Sequence, residues 1–116
     1  MKIVNATRDT VLMTYGKLAD NFFTRLVGLL GRKNLAVGEG LIITRNNSVH
    51  CFFMRFPIDV VFVSKEQRVV HFYNSMRPWH VSKILGKADY TVEMEAGALA
   101  RSQTQVGDLL QWQDEA

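Results

Sequence analysis

The side chains of this chain that could do chemistry are few, and most of them fall between His50 and Lys87. Asp59 stands inside the most apolar passage of the sequence, residues 48–63, SVHCFFMRFPIDVVFV. A carboxylate buried there without partners would be costly, so it must find donors or take up a proton. Arg32, Arg55, Arg77 and His50 are its candidate partners. A paired aspartate at such a position fixes strand register or a turn more often than it carries a reaction.

Cys51 beside His50 suggests a thiol and its base, but neighbours on an extended strand point to opposite faces, so the pair cannot cooperate there. His71 or His80 would have to serve the thiol across space, and a lone cysteine in an apolar run is more often a small buried hydrophobe. One cysteine and three histidines make a poor zinc pattern, and no metal site is expected. No cofactor cradle, paired catalytic carboxylates or Ser-His-Asp spacing is present either, and no catalytic residue is assigned.

The remaining candidate is the stretch 74–89, which has no clear period and holds Arg77, Pro78, Trp79, His80, Lys83 and Lys87. Loops of this length are more often functional than merely connecting. Trp79 would give a flat apolar wall and the cations would give charge, a combination suited to an anionic group. The alternative is a solvated loop pinned by one buried tryptophan.

The elements that must position these residues follow from the local patterns. Ile58 to Val63 reads as a strand covered on both faces, with Asp59 on the side of Val61 and Val63, and Pro57 marks its start. Lys2–Asn5 and Val11–Gly16 form an opening hairpin, and Leu41–Thr44, Arg68–Tyr73 and Leu109–Trp112 are further strands. Tyr90 to Glu95 alternates cleanly and is expected to be one-sided, with Thr91, Glu93 and Glu95 turned to solvent. Phe22, Leu26, Leu29 and Leu30 recur at helical spacing, which predicts a packed helix over about 21–30, and a short helical turn follows Gly97 through about Gln103. The expected fold class is mainly β, bordering on α+β: a small barrel-like, largely antiparallel sheet of about six to eight strands.

Composition sets the outer bounds. The 116 residues, 47% of them hydrophobic, suit one domain over 1–116 with a core that needs no disulfide. A single cysteine fits a reducing compartment. The N-terminus lacks the apolar run of a leader, though a removed leader would leave no trace, and no stretch approaches the ~18 apolar residues of a membrane span. A soluble, cytoplasmic protein with no membrane partner is expected. The net charge of +3 is too small to argue for nucleic acid. It is unevenly spread: residues 64–87 hold five Lys/Arg against one acid, and residues 88–116 hold one Arg against six acids.

Several of these segments together resemble one family, the domain-of-unknown-function family numbered 192. The resemblance rests on FTRLVGLLGR at 23–32, FMRFPIDVVF at 53–62, Arg68-Val69-Val70, Arg77-Pro78-Trp79, Glu93 with Ala96-Gly97, and Gly107-Asp108, in order over about residues 20–112. It implies a small mainly β domain with a packed helix, and no established activity. This chain departs from the pattern in lacking a turn glycine at Ser64–Gln67 and in having Ala96 where proline is usual. Function is therefore read from the residues: a non-catalytic binding module for a small anionic ligand or a peptide, using Arg77, Trp79, His80, Lys83, Asp59 and Arg55. The alternative is a small hydrolase or transferase using Asp59 with a histidine and an arginine. The scarcity of convergent polar residues favours binding.

Overall fold

The computed structural model describes residues 1–19, 34–51 and 54–113. The helix expected over 21–30 lies outside them. Eight strands and one short helix are formed among the described residues: β1 Lys2–Asn5, β2 Thr10–Met13, β3 Tyr15–Ala19, β4 Glu39–Thr44, β5 Ile58–Val63, β6 Val69–Met76, β7 Tyr90–Glu95, α1 Ala98–Ser102 and β8 Leu110–Gln113.

The mainly β expectation holds, but the strands do not close into a barrel. They form a three-stranded sheet in the order β2-β1-β8 and a five-stranded sheet in the order β3-β4-β7-β5-β6. All pairings are antiparallel except β3 with β4. The predicted strand Val11–Gly16 divides at Thr14, where the chain leaves one sheet for the other. The amides of Thr14 and Tyr15 both donate to the Gly38 carbonyl at that corner, at 2.9 and 3.0 Å.

Two apolar clusters lie on opposite faces of the larger sheet, and side-chain alternation sorts its residues between them. Val61, Val63, Val92, Met94 and Ile42 face the smaller sheet, packing with Ile3, Leu12, Met13 and Leu110, and with Ala98 and Leu99 of α1. Ile58, Val60, Phe62 and Leu41 face the other way, against Val49, Cys51, Met54, Phe56 and Met76. This is why all six residues of β5 are buried.

β7 corrects a sequence expectation. It pairs with β4 on one side and β5 on the other, and all six of its residues are buried, Thr91, Glu93 and Glu95 included. Its alternating pattern is real, but the second face shares the side of the sheet on which Leu41, Val60 and Ile58 pack into the second cluster, and it is buried as well.

The turn Ser64–Gln67, where glycine is absent, puts Gln67 itself in the left-handed region at φ 65°. Its side chain accepts the Tyr90 hydroxyl proton, and that hydroxyl in turn accepts from Trp112 Nε1 at 3.0 Å. Burial pushes the Tyr90 phenol up to about 12; the Trp112 hydrogen bond opposes this and the Asp89 charge adds to it, so the group remains a donor.

Candidate functional site

Asp59 is the second residue of β5, in register with Met94 of β7, and is fully buried on the face that meets α1. Its partners among the described residues are backbone amides. Oδ1 accepts the Ser75 N–H at 2.8 Å, and Oδ2 accepts the N–H groups of Gly97 at 3.0 Å and Leu99 at 2.9 Å. The cations considered from the sequence are not needed to satisfy it. One carboxylate thereby ties β5, an interior strand, to a bulge in β6 and to the first turn of α1, supplying acceptors that the five-residue helix lacks from its own cap. Gly97 adopts φ 106° to deliver its amide, a conformation that a side chain would strain.

Arg77, Trp79, His80 and Lys83 come together on a flap anchored to residues 47–51. Trp79 N–H donates to the Cys51 carbonyl at 2.7 Å, Cys51 N–H to His80 at 2.8 Å, Ser82 N–H to Val49 at 2.8 Å and Leu85 N–H to Asn47 at 2.8 Å. Ser82 Oγ accepts the Val49 N–H in return, and Lys83 N–H donates to the Tyr73 hydroxyl. The flap is therefore an ordered part of the fold, unlike a solvated loop. Trp79 does not pin it by burial: it is 58% exposed, with Val81 at 62% and Ile84 at 76%. Its backbone is left-handed, φ 69°, which is rare for a bulky aromatic and costs ~1–3 kcal/mol unless neighbours hold it. Two of the hydrogen bonds above do so. Arg55 is exposed on the bend just after Met54, whose N–H reaches the same Cys51 carbonyl that Trp79 uses. Asp59 is the outlier of the set, since it points to the opposite face of the sheet from the cluster that carries the flap.

Cys51, the one cysteine of the sequence, is fully buried within the second cluster, among Val49, Met54 and Phe56, as the apolar reading of it expects. His71 packs its ring against Tyr73 and Phe62.

Polar features not singled out as sites are also present. Glu95 receives the Arg101 guanidinium at 2.8 Å and the Gly38 N–H at 2.9 Å, both on Oε1, while its buried Oε2 has no hydrogen-bond partner among the described residues. Asp108 Oδ2 collects Asn5 Nδ2, Arg8 Nε and the Gln105 N–H at 2.9–3.0 Å. Burial opposes its ionisation, but the hydrogen bonds from Arg8, Asn5 and Gln105, together with the Arg8 charge, outweigh burial and hold its carboxyl below the usual range. In the sequence Asp108 stands out as part of the Gly107-Asp108 family pattern. Its contacts about a hundred residues away carry no local signal.

Fold and site together define a small two-sheet β protein in which an aspartate of an interior strand fastens a short helix. The chain belongs to the DUF192 family, "Uncharacterized ACR", whose pattern matches residues 3–112. It is 33% identical to a UPF0127 protein of Thermococcus sibiricus, over 97% of this chain and 75% of the relative. With the UPF0127 protein of Pyrococcus furiosus it shares 35% identity, over 95% and 97% of the two chains. The fold is also found in a crystal structure of a protein of unknown function from Novosphingobium aromaticivorans. That match has a TM-score of 0.80 and 22% identity, over 96% of this chain and 82% of the other. The family match also takes in β1 and β2, ahead of the region near 20–112 that the motifs mark; β1 is paired to β8 and belongs to the same structural unit.

Proposed function

We propose that this protein is a binding module that takes an acidic, extended peptide segment along the 77–88 flap. The observation that carries the reading is Trp79, displayed to solvent from a left-handed backbone on a stretch that holds Arg77, Lys83 and Lys87 and no acid. Strain held in place by surrounding hydrogen bonds is characteristic of functional segments. The exposed apolar chains, Trp79, Val81 and Ile84, recur along the flap over residues 79–84. Such a surface suits an extended partner better than a compact ligand, with Arg77, Lys83 and Arg55 supplying charge complementarity and His80 a hydrogen-bonding ring. The hydrolase or transferase alternative would need Asp59 at a surface where substrate can reach it. A fully buried carboxylate committed to three amides does not offer that.

The experiment is a fluorescence titration of Trp79, in a Trp112→Phe background, with a Glu/Asp-rich peptide bearing aromatic residues. Saturable binding that weakens as salt rises is expected, and Arg77→Ala with Lys83→Ala should reduce affinity about tenfold, a loss of ~1.4 kcal/mol. Melting temperature should stay within the small range typical of surface substitutions. No binding, or binding indifferent to both substitutions, would count against the flap.

A further inference from the structure

A groove of about 470 Å³ runs between β6 and α1, on the side of the larger sheet away from the flap cluster. It is lined by Phe72, Asn74, Ser75, Gln103 and Gln105, with Asp59 behind them. We propose that this groove binds a neutral, hydroxyl-rich ligand, a sugar unit, at a site separate from the peptide surface.

The charge of the lining points to a neutral ligand. Asp59 is its one ionisable side chain among the described residues, and both of its oxygens are already engaged by amides. A charged ligand would lose its hydration with no counter-charge to replace it. The hydrogen-bonding capacity points to hydroxyls. The side-chain amides of Asn74, Gln103 and Gln105 and the Ser75 hydroxyl make no hydrogen bond within the described protein, whereas Thr104 beside them is bonded to Ser102 and Asn5. An amide presents donors and an acceptor together, and a hydroxyl is both at once, so the two kinds of group pair in either sense. Phe72, half-buried against the first core cluster, adds the apolar surface that the C–H face of a sugar ring requires.

The polar groups are also held on fixed backbone. Ser75 and Gln103, one on each side of the groove, are both left-handed, at φ 51° and 58°. The first is fastened by its N–H to Asp59. The second closes α1, its N–H donating to Ala100 at 3.2 Å while the Thr104 N–H reaches Leu99 at 3.1 Å. A site built on backbone restrained in this way needs little ordering when ligand arrives.

The test is a titration of isotope-labelled full-length protein with maltose, cellobiose and N-acetylglucosamine, with glucuronate as the charged comparator, followed by amide chemical shifts. A neutral saccharide should shift the amides of Asn74, Ser75, Gln103 and Gln105 saturably and leave residues 77–85 unmoved. Asn74→Ala and Gln103→Ala should each weaken binding about tenfold, without lowering the melting temperature, because neither side chain has a hydrogen-bond partner among the described residues to lose. The proposal is overturned if no neutral saccharide moves those amides, if the variants bind like the parent protein, or if glucuronate binds more tightly. Because the readout is local, it stands or falls independently of peptide binding at the flap.

Discussion

At the scale of single residues, Asp59 decides more than any other. Its two oxygens serve three backbone donors from two other parts of the chain. Asn in its place would keep the shape but turn one acceptor into a donor facing another donor. Leaving buried amides unsatisfied costs ~1–3 kcal/mol each, so Asp59→Asn should lower stability by roughly 2 kcal/mol in a denaturant titration. Peptide affinity at the flap should be unchanged, since the residue faces the other side of the sheet; loss of binding in a folded Asp59→Asn protein would give the carboxylate a direct role. The need for a partner was legible in the sequence, because an acid amid Ile58, Val60 and Val61 cannot be left bare. The identity of the partner was not. Backbone amides have no letter in a sequence, so Arg and His were the only donors that reading could nominate. Likewise Trp79 was legible as a functional candidate by its neighbours Arg77 and His80, while its left-handed backbone depends on hydrogen bonds to Cys51, which spacing does not show.

At the scale of elements, the strongest constraint is the close approach of β4 to its neighbours. Gly40 of β4 pairs with Gly16 of β3 and Met94 of β7, and the Met13 side chain fills the space that both glycines leave open. A Cβ at Gly40 would fall 2.6 Å from the Glu93 carbonyl oxygen and 2.6 Å from Met13 Sδ. The sulfur end can move, but the carbonyl belongs to a strand paired on both sides. Gly40→Ala should therefore destabilise by ~1–3 kcal/mol, the usual range for overpacking. Gly86→Ala is the matched control: nothing lies within 4 Å of its Cβ position, and stability should change by no more than ~0.5 kcal/mol. Equal midpoints for the two variants in a thermal melt would refute this account of the sheet. Strand positions were legible wherever a local period exists, as in β5, β7 and the opening hairpin. What escaped was what lies opposite: Glu93 and Glu95 read as solvent-facing, but they share a face with Val60 and Ile58, which pack into the second cluster, and local alternation does not show that this face is covered too. The division of β2 from β3 at Thr14 escaped for the same reason, since it is set by the distant Gly38 carbonyl.

At the scale of the whole molecule, the two ends of the chain are fastened together, and the fastening has a pH dependence. β1 pairs along its length with β8, and just beyond the pairing Asn5 and Arg8 converge on Asp108. The Asp108–Arg8 contact is 3.0 Å, with the carboxylate buried and the arginine about 40% exposed. Since the exposed partner is screened by solvent, the fixed donors Asn5 Nδ2 and the Gln105 amide should account for much of the effect. The folded state binds the Asp108 proton more weakly than the unfolded chain, whose carboxyl titrates near ~3.9. The stabilisation is therefore complete above that value and is lost as pH falls through the lowered folded value. Unfolding midpoints should be flat in this respect near neutrality and fall steeply in acid. Asp108→Asn should flatten the acid limb while lowering stability at neutral pH, as one acceptor is lost between Asn5, Arg8 and Gln105. If the acid limbs of the two proteins superimpose, the junction of the chain ends is not what titrates, and another buried carboxylate governs acid unfolding.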